Sequence, residues 1–204
     1  MTVRFLVPAA LALAVASPAA HAADPRYPNW PCTQAKVPEI SLAAVWAGPA
    51  LDDAETKWKD DAKVTALVSK LSARKTPMDE AEKSVKEFLA GSAADKTANA
   101  KLLFAGLFDT LNAQRSQVMN GLERVSRKQR EAADKIRDET LELQALQSAT
   151  PGDEARVEAL SNDLIWKTRI FEDRHKVVRF VCEVPTTIDQ RLFGLGRVIQ
   201  QEME

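Results

Sequence analysis

Residues 95–148 have the sequence DKTANAKLLFAGLFDTLNAQRSQVMNGLERVSRKQREAADKIRDETLELQALQS, which contains no proline. A register that alternates steps of four and three residues selects thirteen positions here, and ten of them are apolar. The selected positions are Phe104, Phe108, Leu111, Arg115, Val118, Leu122, Val125, Gln129, Ala132, Ile136, Glu139, Leu143 and Leu146. A heptad pattern of this length predicts one helix about 80 Å long with a coiled-coil-like seam.

A further helix is predicted from about residue 153 to residue 183, after a short break that contains Thr150 and Pro151. A connection this short predicts an antiparallel hairpin. The seam positions of the further helix are Val157, Leu160, Leu164, Thr168, Phe171, His175, Val178 and Cys182. A second apolar row occurs only in its later part and consists of Trp166, Ile170, Val177 and Val181. This second row predicts that the helix is buried more widely toward the base of the hairpin.

Shorter periodic patterns predict three more helices, at about 54–72, 78–90 and 186–201. The predicted fold is therefore all-α, with a long antiparallel helical hairpin on a small helical-bundle body, and residues 53–204 form a single helical domain. We expect the hairpin tip, at about 129–160, to project as a two-helix arm. The alternative is a plain bundle, in which the first two helices fold back along the hairpin.

The N-terminus has the pattern of a secretory signal peptide, residues 1–22. Arg4 supplies the positive start, an apolar stretch follows, and Ala20-His21-Ala22 has the small-x-small form of a cleavage site. A membrane anchor is the weaker alternative, because a spanning helix needs about 20 apolar residues. We therefore predict cleavage after Ala22, export to the periplasm of a Gram-negative bacterium, and no integral membrane segment in the mature chain.

Two cysteines, Cys32 and Cys182, remain after the predicted cleavage. An even pair in an oxidising compartment predicts a disulfide. The chain-entropy model values the loop that it closes at about 4 to 5 kcal/mol of stabilisation. Two free buried thiols or a redox pair are the alternatives, although neither cysteine belongs to a C-x-x-C motif.

Residues 23–52 contain five prolines and no helical period. Proline removes a backbone donor and pushes its predecessor toward extended geometry, so this segment is predicted to be an extended strap. Residues 41–46 are the exception, because they can form a short helical turn. Tyr27 and Trp30 in the strap are expected to cover apolar helix surface; the functional alternative is a ligand platform.

Composition excludes several classes of protein. The chain has 204 residues, of which 45% are hydrophobic, so it can form a core and global disorder is not expected. Its formal net charge of −1 argues against a nucleic-acid-binding protein, which usually has a basic excess. Two cysteines and two histidines are too few for a Cys- or His-rich metal scaffold, and we predict no metal and no cofactor.

The sequence contains none of the common hydrolase, metalloprotease, nucleotide-binding or calcium-binding motifs. After export, His175 is the only histidine left for a catalytic triad. Because it falls on the apolar seam of a helix, we interpret it as a satisfied core residue, with Glu172 and Arg179 at helical spacing for a buried polar network. No catalytic residue is predicted.

The most concentrated positive run consists of Arg124, Arg127, Lys128 and Arg130. Acidic residues follow it at once, and mixed charges along a helix first indicate a solvated coiled-coil flank. A phosphate or anionic-lipid site is the alternative.

These observations favour a non-enzymatic exported interaction or scaffolding protein. It would act through helix-in-groove contacts with a protein partner, or through self-association of the hairpin. The alternative is a periplasmic sensor that binds a small ligand or a metal near His175, Cys182, Trp30 and Tyr27. A hydrolase has the least support, since its catalytic residues would have to come from serines and acids that look like ordinary surface.

Overall fold

The computed structural model describes residues 24–91, 95–149 and 152–204. The predicted signal peptide and the predicted break at Thr150 and Pro151 lie outside these residues. Within the described ranges the chain contains helices and no strand. The helices are α1 (Leu42–Val45), α2 (Ala54–Lys57), α3 (Ala62–Ser72), α4 (Met78–Ala90), α5 (Lys96–Ser148), α6 (Glu154–Val181) and α7 (Val184–Met203). The prediction of an all-α fold, with a long hairpin on a small helical body, is confirmed.

The helix predicted over 54–72 is wrong as a single element. A 3-10 turn, Trp58–Asp60, follows α2, and Asp61 then takes an extended conformation with φ −96° and ψ 110°. The Asp61 carboxylate accepts hydrogen bonds from the backbone N–H groups of Lys63 and Val64, at 2.8 and 3.0 Å. Asp61 therefore caps a new helix, α3, because its side chain satisfies amides that have no partner at a helix start.

The last helix begins earlier than the predicted residue 186. Pro185 lies inside the first turn of α7, which starts at Val184, and α6 has already ended at Val181. Proline is tolerated in the first turn because the N–H group that it lacks has no helical partner there. The proline therefore belongs to the start of α7 and does not lie between the two helices.

Side-chain contacts pair α5 with α6 in antiparallel order. Gln129 Nε2 donates to the carbonyl of Phe171 at 3.1 Å, farther along Lys167 Nζ lies 2.6 Å from Glu139 Oε1, and near the turn Arg156 Nη2 lies 2.5 Å from Glu142 Oε1. The hydrogen bonds to Asp163 and then to Glu139 raise the pKa of Lys167. These pairs hold the arm together up to its tip.

The body is built around the N-terminal half of α5. Its core contains α5 residues from Ala100 to Leu111, together with buried residues of α3, α4 and α7. Trp46, which follows α1, stacks on Phe104 with ring centroids 4.2 Å apart. None of the described residues between Leu111 and Ile188 belongs to this core. The first helices thus pack beside α5 and α7 and leave the arm uncovered, as in the projecting arrangement.

Three of the four residues in the second apolar row of α6 are exposed and only Val181 is half-buried, so the prediction of wider burial near the hairpin base is wrong. Trp166 is 63% exposed, Ile170 47% and Val177 59%. The prediction assumed that body helices would cover α6 at this level. They pack on α5 and α7 instead, so α6 keeps α5 as its main helical neighbour.

No described helix combines the length and the apolar character that a membrane span requires. The described ranges exclude residues 1–23, so this finding applies only to the part of the chain that follows.

We expect substitution by alanine to have opposite effects on stability at the two glycines of α5. A Cβ added at Gly121 meets no atom closer than Arg124 Nη2 at 3.9 Å, whereas one at Gly106 lies 2.7 Å from Val68 Cγ2. Gly121→Ala should raise the free energy of unfolding by about 1 kcal/mol through helix propensity. Gly106→Ala should lower it, because overpacking costs about 1 to 3 kcal/mol.

Urea unfolding of both variants measures the two effects, and each variant serves as the control for the other. A stabilising Gly106→Ala would contradict the close packing of α3 and the 3-10 turn on α5 at this position.

Candidate interaction surface

The strap is attached to the hairpin base by a disulfide between Cys32 and Cys182, whose Cα atoms are 5.6 Å apart. Gln34 Nε2 donates a hydrogen bond to the Cys182 carbonyl. The Trp30 indole N–H in turn donates to the Gln34 carbonyl at 2.7 Å. The predicted disulfide is thus present, and the hydrogen bonds made by Trp30 and Gln34 lie next to it.

On both sides of Cys32, the strap runs along α5 in the opposite direction to that helix. Arg130 Nη1 donates to the Pro28 carbonyl at 2.7 Å, and Lys36 Nζ lies 2.7 Å from Glu123 Oε1. The Lys36 and Glu123 side chains are both largely buried. The strap therefore covers one side of the hairpin base from the level of Arg130 toward the body.

Arg115 joins three elements where the strap reaches the body. Its side chain is buried, and Nη1 donates to the carbonyls of Val37 and Pro38 at 2.6 and 3.2 Å. Nε lies 2.7 Å from Asp189 Oδ1 of α7. Burial raises the pKa of the Asp189 carboxyl, and the charge of Arg115 opposes that rise.

Within the described part of the chain, His175 makes no hydrogen bond, ion pair or ring contact with Tyr27 or Trp30, two other residues of the predicted ligand or buried polar site. Tyr27 and Trp30 are half-buried in the strap, and Lys36 Nζ lies 4.6 Å from the centre of the Tyr27 ring. His175 is exposed on α6, and it makes no hydrogen bond or ion pair with the described residues.

The interpretation of His175 as a core residue is therefore wrong. Phe171 and Val178, the neighbouring positions of the same register, are half-buried and Cys182 is buried, so the seam continues past His175 although that side chain is exposed.

No group of three or more histidine, cysteine, aspartate or glutamate side chains is arranged to hold a metal ion within the described ranges. The two cysteines form the disulfide and are not available as thiolate ligands.

A groove of about 700 Å³ lies between α5 and α6 at the hairpin base. Most of the surface that lines it is apolar, and none of the described strap residues contributes to it. The lining residues are Val118, Gly121, Leu122, Arg124, Val125, Lys128 and Gln129 of α5, with Asp173, Arg174, Val177, Val178 and Val181 of α6. The groove therefore lies on a part of the hairpin base that the strap leaves open.

Three basic side chains, Arg124, Lys128 and Arg174, form the rim of this groove. They make no ion pair or hydrogen bond with other described residues. The one acid of the lining, Asp173, is 3.2 Å from Lys176 Nζ. The rim thus carries a positive charge that the described part of the chain does not neutralise.

An apolar row extends the groove along α6. We call Trp166, Ile170, Val177 and Phe180 the α6 stripe; Phe180 is 78% exposed, and Val177 also lines the groove. Arg169 lies 5.9 Å from the centre of the Trp166 ring. Single exposed apolar residues are ordinary, but several on one helix face beside an apolar groove mark an interaction surface, even though Asp173 lies between Ile170 and Val177 on that face.

The sequence patterns contain some members of this surface but not Phe180 or Arg174. The second apolar row contains Trp166, Ile170 and Val177, and the basic run contains Arg124 and Lys128. No sequence signal showed that this face stays open, because the same apolar pattern also occurs on covered helix faces.

The surface combines a groove, exposed apolar side chains and positive charge, and each of these can contribute to binding a partner. A comparison of the chain with protein-family models, with curated proteins and with solved structures finds no match.

Proposed function

We propose that the chain is exported to the periplasm and works there as a non-enzymatic interaction protein. The groove and the α6 stripe carry this proposal, because they form an open, largely apolar surface on the hairpin base, where none of the described residues of the strap or of the other helices lines the groove. The disulfide supports the proposed export, since such bonds persist in oxidising compartments.

The arm suits a scaffolding role for a mechanical reason. Contacts along its whole length hold α5 and α6 side by side, and the strap and disulfide fix its base to the body. A rigid surface loses little conformational freedom when it binds, so more of the contact energy goes into affinity.

A small ligand is the second candidate. A groove of about 700 Å³ lies within the range of small-molecule sites. This candidate places the ligand in the groove, between Val125 of α5 and Val177 of α6, whereas His175 does not line the groove.

Site-specific photo-crosslinking in the cell that makes the protein tests the proposed function. A photoreactive amino acid at Val177 should form adducts with another protein or a second copy. The matched control is His175, which is exposed on the same helix but does not line the groove. Adducts from His175 alone, or none from Val177, would contradict the proposal.

The intact mass of the captured chain tests export in the same experiment. Cleavage after Ala22 leaves a chain that begins at Ala23, and retention of residues 1–22 would contradict export.

A further inference from the structure

The groove has the form of a helical bundle from which one helix is missing. Its apolar floor comes from two helices, α5 with Val118 and Leu122, and α6 with Val177 and Val181. The α6 stripe shares Val177 with the groove and places further exposed apolar side chains along α6 as far as Trp166. From Trp166 to Val181 the surface is about 22 Å long, which matches a helix of about four turns.

Gly121 in the groove lining gives a partner room to approach. A glycine inside a helix costs about 1 kcal/mol relative to alanine, and no contact among the described residues requires one at this position. The missing side chain leaves backbone exposed in the lining. A close approach by the backbone of another segment is a common use of glycine.

The charge of the rim selects the kind of helix. Arg124, Lys128 and Arg174 are unneutralised, whereas the chain as a whole has a net charge of −1. A second copy docked groove to groove would place these bases opposite one another. A helix with acidic flanks would instead place carboxylates opposite all three.

A lipid surface fits the same residues less well. A flat bilayer can contact the protruding side chains of the α6 stripe, such as Phe180, but it leaves the concave floor around Gly121 unfilled. An apolar helix face fills that floor with side chains at helical spacing.

We propose that the groove binds an amphipathic helix of another protein, about four turns long, with aspartate or glutamate on both sides of its apolar face. This inference rests on the proposed function and specifies the partner. The helix packs its apolar face between α5 and α6, and its acidic flanks pair with the rim.

Two synthetic peptides of about 16 residues test the proposal. Both carry the same leucine face, and one has glutamate on its flanks where the other has lysine. Titration into the mature, disulfide-bonded chain is followed by calorimetry and by tryptophan emission, compared with that of a Trp166→Phe variant to isolate the contribution of the exposed Trp166. We expect the glutamate peptide to bind at least about tenfold more tightly, with affinity falling as salt is added.

Two double variants of equal charge change locate the binding. Lys128→Gln with Arg174→Gln removes charge from the rim and should abolish most of the preference for glutamate. Arg127→Gln with Arg179→Gln removes the same charge from exposed positions that do not line the groove, and should leave the preference intact.

Several results would overturn this proposal. These are equal affinity for the two peptides, equal effects of the two double variants, a dimer that Val177→Asp dissociates, or binding to anionic phosphatidylglycerol vesicles without binding to either peptide. A Val177 adduct that maps to a segment other than an acidic helix would leave the proposed function standing and remove only this inference.

Discussion

Replacement of both Cys32 and Cys182 by serine is expected to lower the free energy of unfolding by about 4 to 5 kcal/mol in the chain-entropy model. The disulfide joins residues 150 positions apart, so its loss frees a very long loop in the unfolded chain. Ordinary domains are stable by only about 5 to 15 kcal/mol in total. Urea unfolding of the mature double variant, beside the parent with and without reductant, measures the loss.

The strap should respond more strongly than the body. Without the disulfide, it is held by contacts such as Lys36 with Glu123 and Arg130 with the Pro28 carbonyl. Limited proteolysis should therefore cut the segment around Cys32 before it cuts the helices. A change in the free energy of unfolding below about 1 kcal/mol would mean that these contacts alone fix the strap, contrary to the role assigned to the crosslink.

Arg115→Met is expected to lower the free energy of unfolding by about 3 kcal/mol. The substitution removes the cation that lies 2.7 Å from Asp189 and the donor to the carbonyls of Val37 and Pro38. Arg115 is 4% exposed, so water cannot readily take over its contacts. The Asp189 side chain is 40% exposed, which places the effect at the low end of the range for buried pairs.

The effect of Arg115→Met should depend on pH. Burial already raises the pKa of Asp189, and Arg115 supplies the opposing contributions, so the pKa should rise further in the variant. When the pKa of a carboxyl group is higher in the folded state than in the unfolded state, the folded protein becomes less stable as the pH rises through the range between those two pKa values. The destabilisation should therefore be larger at pH 7 than at pH 4.

Asp189→Asn is the control for this pH dependence. In the background of Asp189→Asn, the additional effect of Arg115→Met should lose the part that titrates between pH 4 and pH 7. A destabilisation by Arg115→Met that is independent of pH would indicate that the backbone carbonyls of the strap, and not Asp189, are the important partners of Arg115.

The long helix could be predicted because its pattern is repeated many times. With thirteen seam positions between Phe104 and Leu146, a single position that departs from the pattern does not change the prediction. In the structure, Val125 is the one exposed member of this set. The disulfide was predictable for another reason. The predicted export places the chain in an oxidising compartment, and its two cysteines allow only one pairing.

The shorter features depended on competition between local signals. The pattern over 54–72 is periodic on both sides of Asp61, and periodicity alone does not show that a carboxylate will cap a new helix. Pro185 was expected to precede the last helix, but the first turn of a helix tolerates it. Both errors concern backbone groups near helix ends, which hydrophobic periodicity does not report.

The candidate surface was beyond sequence reasoning because burial depends on neighbours. The pattern of Trp166, Ile170 and Val177 indicates an apolar helix face, but the same pattern occurs on a covered face and on an open one. Only the packing of α3 and α4 beside α5 and α7, away from α6, determined that this face stays open.

The sequence by itself determined the helices, the hairpin and the pairing of Cys32 with Cys182, because each follows from local periodicity or from the number of available partners. The tertiary structure decided which apolar rows are buried, where the rim charges gather and that His175 faces outward. Those outcomes depend on which elements lie next to each helix face, and residues far apart along the chain together decide that.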